Sequence, residues 1–312
     1  MPKIITVTAN TAIDHVITVD NFALGGNFIA HSSREFAAGK GVNVAKALEC
    51  LSQPVIALGI VGEQSKGLFA ALNSPLLQTH LTVVKGKSRT NLTLLSINTA
   101  QETHIRTSGY RVTKTNCLQL LGKIKAQTGP GDIVVFSGSL PTCVPADFYK
   151  TLITQCQSQD ALAFLDSSGE PLKAAISAQP YLIKPNLQEL EELMGRTLPD
   201  ESAIIQAAQN IIAQGVKYAV VSRGAEGALL VAENQVLKGA VTNKFGAIIS
   251  SIGCGDAMLA GLALATLNQC DLESTLTLAI ACGTANLFAV EAGRFDNNLL
   301  ADISFQVCVQ SL

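Results

Sequence analysis

Charge is scarce in this chain. Its 312 residues include 22 Lys and Arg against 24 Asp and Glu, a net charge of -2, and no stripe of basic residues stands out. That excludes the electrostatic footprint of a nucleic-acid partner and leaves room only for single phosphate-binding cations. There is no CxxC, and no His lies near a pair of cysteines, so a zinc site is excluded. No GxxxxGK[ST] occurs, which excludes a Walker A loop. Long apolar runs are missing too. The longest, Leu276 to Val290, is broken by Thr277, Gly283, Thr284 and Asn286 and reads as a buried helix, not a membrane span. The opening MPKIITVTAN has one early Lys and a short apolar strand, too little for a signal-peptide core. The eight cysteines are scattered, which suits free buried thiols in a reducing compartment, hence the cytoplasm. No repeat, low-complexity tract or Pro/Ser-rich linker divides the chain, so residues 1–312 are expected to form one domain.

What is abundant is apolar sequence, 48% of the residues, enough for a large core. Strands are expected at Ile4–Thr8, Val55–Val61, Ile133–Phe136, Leu162–Asp166, Tyr181–Lys184, Ala219–Ser222 and Ala228–Val231. Helical patterns lie between them at Asn43–Leu51, Thr115–Gln127, Ala146–Gln157, Leu187–Met194, Ser202–Ala213 and Gly255–Leu267. Runs such as IVVF and LAFLD are nearly continuous hydrophobics, as in parallel strands buried on both faces. The alternation predicts an α/β fold with a doubly wound, mostly parallel sheet. Two stretches, at about 15–37 and 88–110, alternate like strands with no helix between and predict an antiparallel accessory sheet. Such a sheet either covers a site or extends the core.

Several glycine-rich turns carry candidate chemistry. In SSIGCGDAMLAGL, Gly253 and Gly255 permit a sharp turn before an apolar helix. Free amides and the helix dipole then face an anion, with Asp256 in the first turn as cap or base. A dinucleotide fingerprint is disfavoured because Met258 stands where a third small residue belongs. In AAGKGVNVAKAL, Gly39 and Gly41 precede a helix, with Lys40 in the turn and Asn43 as its cap. KPNLQE ends a strand at Pro185, and Asn186 with Glu189 forms a near capping box. A Glu at that edge also suits magnesium, through water. SGSLP, SRGAEGA and TAID add Ser139, Ser222 and Asp14 at predicted strand ends, the edge where open α/β sheets bind ligands.

Taken together these motifs resemble the ribokinase-like carbohydrate kinases, the PfkB family, along nearly the whole chain. AAGKGVNVAKAL resembles the first family signature and SIGCGDAMLAG the second. SGSLP, DSSGE, KPNLQELEEL, GRTLP and SRGAEGAL look like the branch acting on fructose 1-phosphate and tagatose 6-phosphate. The resemblance implies a β-sheet lid built from the two insertions, MgATP as donor and a homodimer paired through the lids. It implies that Asp256 takes the proton from the attacking hydroxyl, while amides of Gly253, Cys254 and Gly255 hold the moving phosphoryl. Lys184, Asn186, Ser222, Gly224 and Gly227 fall on the ATP side, with Glu189 near magnesium. Asp14, Gly39, Lys40, Asn43, Arg89, Asn91 and Ser139 fall on the sugar-phosphate side, with Lys40 and Arg89 on the existing phosphate. The chain departs from the pattern at Thr11 and Cys254, at Arg223 and in EAGRF. A helix N-terminus also lowers thiol pKa, which raises a reactive role for Cys254.

The implied reaction is phosphorylation of D-fructose 1-phosphate at its 6-hydroxyl. D-tagatose 6-phosphate and then fructose 6-phosphate are the alternatives. A non-catalytic sugar-phosphate sensor and a dehydrogenase are the readings from other classes.

Overall fold

A computed structural model describes residues 1–99, 101–243 and 245–312; residue 100, within the 88–110 stretch, lies outside them. In chain order, β1 (Ile4–Thr8) is followed by β2 (Ala12–Val19) and β3 (Ser32–Ala38), then α1 (Lys40–Cys50) and β4 (Val55–Gly62). Next come α2 (Lys66–Ala70), β5 (Leu77–Val84), β6 (Arg89–Ser96) and β7 (Gln101–Arg106). Strands and helices then alternate through α3 (Lys114–Gln127), β8 (Ile133–Ser137), α4 (Phe148–Gln157), β9 (Leu162–Asp166), α5 (Gly169–Ile176) and β10 (Leu182–Ile183). They continue with α6 (Leu187–Met194), α7 (Glu201–Ile212), β11 (Tyr218–Ser222), β12 (Ala228–Val231) and β13 (Val236–Val241). The chain closes with α8 (Cys254–Leu267), α9 (Leu272–Ala285), α10 (Asn297–Ser304) and β14 (Val307–Ser311).

The main sheet has the order β14-β13-β12-β11-β10-β9-β8-β1-β4-β5. From β11 to β5 every pairing is parallel, and β12 to β14 add an antiparallel edge. Successive residues of the central strands enter opposite cores. Ile5, Val7, Val134 and Phe136 pack with α3 to α7, whereas Ile4, Ile133 and Val135 pack with α1, α8, α9 and α10. That two-sided burial is why the strands read as unbroken apolar runs. Helix α8 is apolar nearly all round because it lies between α1 and α9.

The second sheet has the order β3-β2-β6-β7. It is mixed, not antiparallel as expected, since β2 and β6 pair in parallel. The reason is topological: β2 and β6 leave the main sheet just after the parallel strands β1 and β5, running the same way. Asp14 therefore sits within β2 and does not close the first strand. Asn43 is not the cap of α1. Gly39, at φ 120°, takes that place, and the Asn43 amide bonds back to the Gly39 carbonyl at 2.9 Å. Lys40 is accordingly the first helical residue. Strand β10 is shorter than Tyr181–Lys184, as Pro185 turns the chain out of the ladder.

Gly41 lets α1 approach β1. A Cβ there would meet the Thr8 Oγ1 at 2.5 Å and the Val7 carbonyl at 2.9 Å. Gly41→Ala is thus expected to destabilise by about 1–3 kcal/mol through overpacking. Gly122→Ala, in α3 with open space around it, should stabilise by up to about 1 kcal/mol. Urea denaturation of both variants checks the contrast; equal shifts would contradict it.

Candidate active site

A cleft of about 740 Å³ runs along the C-terminal edge of the main sheet and under the second sheet. At its centre lies the start of α8. Gly253 holds the N-cap position in the left-handed region at φ 84°. Its glycine is required twice over, as a Cβ would also fall 2.6 Å from that of Ala292. The first amides of a helix have no partner within it; that of Cys254 reaches the Ser251 carbonyl at 3.5 Å, so the donors left for the cleft are those that follow it. Asp256 stands third in the helix, only 5% exposed, and its Oδ2 accepts from the Asn43 Nδ2 at 2.9 Å.

Around Asp256 are Lys40, Asp166 and Lys184. The Lys40 ammonium lies 3.2 Å from the Asp166 Oδ1 and 3.7 Å from the Glu189 Oε1. Lys184 Nζ is 3.5 Å from the Asp166 Oδ2 and would sit 3.2 Å from a Cβ on Gly255. Glycine at 255 thus leaves space for this cation against the helix start. Burial opposes ionisation of Asp166, yet Lys184 and Lys40 hold its carboxyl below the usual carboxylate range. Asp166 in turn raises the affinity of Lys40 for its proton. Asp256 behaves oppositely. Burial lifts its pKa to about 7, with Lys40 pulling down, Asp166 pushing up, and Asn43 and Lys184 pulling down.

Glu189 completes a capping box. The Asn186 amide donates to the Glu189 Oε2 at 2.9 Å, and the Glu189 amide donates to the Asn186 side chain at 2.8 Å. Its Oε1 is the atom that faces Lys40. Across the cleft, the second sheet contributes Asp14, Arg89 and Asn91. Asn91 Nδ2 donates to the Asp14 Oδ1 at 2.8 Å. Burial raises the Asp14 pKa, and Asn91, Lys46, Arg89 and Arg106 oppose it. The Nε of Arg89 is buried with no hydrogen-bond partner.

Most of the residues picked out in the sequence therefore border one cleft: Gly39, Ser139 and Ser222 line it with those above. Lys40 lies with Asp166 and Glu189, and Arg89 lines the same cleft. Three residues stand back from the cleft. Cys254 turns its thiol to the Asn286 Nδ2 at 3.6 Å, and Gly224 and Gly227 form the tight turn between β11 and β12. Burial pushes the Cys254 thiol up to about 11, with the Asn286 hydrogen bond pulling it down, the opposite direction to the activation a helix N-terminus suggests. Asp166, Arg106, Lys46 and Glu291 also border the cleft and were missed. Asp166 had a signal, an acid closing the run LAFLD. Arg106 had a weaker one, alternating with Glu102 and His104 on one face of β7.

Comparison with known proteins gives the family. The model of the pfkB family carbohydrate kinases matches residues 3–296. The chain belongs to the PfkB family. It is a carbohydrate kinase, a phosphotransferase with an alcohol acceptor. The 1-phosphofructokinase of Xanthomonas campestris pv. campestris is 37% identical, over 98% of this chain and 97% of the relative. That of Escherichia coli strain K12 is 33% identical over 99% and 98%. The crystal structure of phosphofructokinase-2 from Escherichia coli in complex with fructose-6-phosphate superimposes with a TM-score of 0.88 at 26% identity, covering 98% of this PfkB kinase and 99% of its neighbour. No helix among the described residues is long and apolar enough to cross a membrane.

A carboxyl whose pKa is raised lends the fold stability below its unfolded value of about 4. It loses that stability as pH rises through about 7. Asp256→Asn should therefore stabilise the protein at pH 8 and change little at pH 4, as judged by chemical denaturation at both values. Equal effects would contradict burial as the cause. In the parent enzyme, kcat/KM should rise with pH to a plateau above about 7, where the free carboxylate forms.

Proposed function

We propose that this PfkB kinase is an ATP-dependent 1-phosphofructokinase, converting D-fructose 1-phosphate and ATP into D-fructose 1,6-bisphosphate and ADP. The observation that carries the reading is the buried carboxyl of Asp256. It is aimed by Asn43, set beside the free amides at the start of α8, and flanked by Lys40 and Lys184. A base poised near neutrality is suited to take a proton from an alcohol. Donors fixed around the moving phosphoryl neutralise its charge at no cost in reorganisation. The names of the relatives support the choice of sugar.

On the acceptor side, Asp14 and Asn91 are the groups to hold sugar hydroxyls, with Gly39 and Ser139 beside them. Arg89 and Arg106 are the cations for the existing phosphate, which would also satisfy the orphaned Nε of Arg89. Lys40, tied to Asp166, serves the transferring phosphoryl. On the donor side Lys184, Asn186 and Ser222 line the groove for ATP, while Gly224 and Gly227 shape the turn along it. The metal fits as magnesium held mainly by water and phosphates. Glu189 and Asp166 line that part of the cleft, and Glu189, the less buried of the two, is the residue to hold the metal through water. Bound there, magnesium would neutralise the triphosphate.

The second sheet acts as a lid over the sugar in this reading. Its other face supports pairing of two lids in a homodimer: Ile105 alternates with the cleft-facing residues of β7, and Ile97 and Ile29 are exposed nearby. The free cysteines support a reducing compartment, the cytoplasm.

Release of ADP from MgATP with each of three sugar phosphates tests the reading. Fructose 1-phosphate is expected to give the highest kcat/KM, ahead of tagatose 6-phosphate and fructose 6-phosphate. A higher value for either rival reassigns the substrate, and no turnover with any of them would favour a sensor. Asp256→Asn should lower kcat by about 10²–10⁴-fold, and an unchanged rate would remove it as the base. Arg89→Ala and Arg106→Ala should raise KM for the sugar phosphate and leave KM for ATP nearly unchanged; the reverse pattern would exchange the two sides.

A further inference from the structure

Lys46 is the most deeply buried cation of the chain's cleft wall, 0% exposed. Its ammonium donates to the Ala37 carbonyl at the end of β3 at 2.5 Å and pairs with the Glu291 Oε1 at 2.7 Å. Burial pulls its pKa below the ordinary lysine range, and Glu291 opposes that. Glu291 starts a short stretch without regular structure, residues 291–296, that lies along one face of α1. Further along, Arg294 pairs with Glu49 at 2.5 Å. Gly293 is packed so closely that a Cβ would fall 2.3 Å from the Asn43 carbonyl. The other side of the stretch meets the turn before α8. Ala292 touches Gly253, and the Gly293 amide donates at 2.7 Å to Asn286, whose Nδ2 donates to the Ile252 carbonyl at 2.8 Å.

The stretch is thus a spacer between two walls. One wall is α1, which carries Asn43; the other is the glycine turn that carries Asp256. The hydrogen bond between those two side chains spans the same gap. We propose that the Lys46–Glu291 pair is a positioning device for catalysis: it fixes the spacer against α1 and so sets the distance from Asn43 to Asp256 and the aim of the α8 amides. The role is distinct from that of Asp256, because neither partner touches it. Energetic logic supports this. Lys46 is fully buried and Glu291 partly exposed, at 26%; desolvating the lysine is costly, and apolar residues of similar volume often serve stability as well or better. A pair kept here despite that cost serves placement. Small displacements at such a site are expensive in rate, since about 1 Å of misplacement can cost 10²-fold.

The inference rests on the kinase reading, and the test separates the two. The variants are the charge-free double substitution Lys46→Met with Glu291→Gln, and Arg294→Gln, which frees the spacer at its more exposed end. The double variant should melt at or above the parent temperature while kcat falls by about tenfold or more and KM for ATP stays near the parent value. The acid limb of its kcat profile should move to higher pH, because the Asn43 bond that lowers the Asp256 pKa is loosened. Arg294→Gln should lower kcat in the same sense and less. Native-state amide exchange at residues 253–257 reads the same displacement with no substrate present, and should quicken in both variants. Unchanged kcat and exchange in a folded double variant would overturn the proposal. So would a fall in kcat matched by a collapse in melting temperature, which would mark the pair as merely structural. An inactive parent enzyme would count against the substrate assignment, and amide exchange would still decide the role of the pair.

Discussion

The site depends on holding four ionisable groups together, three of them buried (Asp166, Lys184 and Asp256) and one, Lys40, partly exposed. Two cations share one carboxylate, Asp166, which is 1% exposed. That arrangement uses up the negative charge of Asp166 and leaves Asp256 as the carboxyl that burial keeps near neutrality. Two acids in one cleft are thereby driven apart in pKa. The cluster also leaves cationic character at the helix start.

The fold makes this cluster possible by convergence. Asp166 and Lys184 come from the ends of β9 and β10, adjacent parallel strands. Lys40 and Asn43 come from the first turns of α1, and Asp256 from the first turn of α8. Parallel strands put their C-terminal ends on one edge, and the helix N-termini beside that edge add partial positive charge. The two-sided core fixes the helices against the sheet, so positions far apart in sequence share one rigid wall.

Much of this was readable in advance, for physical reasons. The glycine turns at 39–41 and 253–255 announce close approach, and the apolar runs announce buried parallel strands. The capping box of Asn186 and Glu189 is local chemistry. What escaped was set by tertiary contact. Asn43 looked like a cap because capping residues and hydrogen-bond donors to a distant acid are the same residue type; only the fold brings it 2.9 Å from Asp256. Cys254 looked activated because the helix terminus is local, whereas its burial is not. The parallel pairing of β2 with β6 depends on two exits from the main sheet, 77 residues apart at Asp14 and Asn91. Lys46 lies in AAGKGVNVAKAL and Glu291 opens EAGRF, yet neither segment shows that the two side chains meet; their pairing appears only when α1 and the stretch after α9 are packed.

The most direct measurement is a crystal structure with a non-hydrolysable ATP analogue and fructose 1-phosphate bound together. An Asp256 oxygen should lie about 2.6–3.2 Å from the 6-hydroxyl, with that hydroxyl facing the γ-phosphate and the α8 amides donating to it. An Asp256 carboxylate turned away from the sugar, with the hydroxyl held by another base, would contradict the assignment.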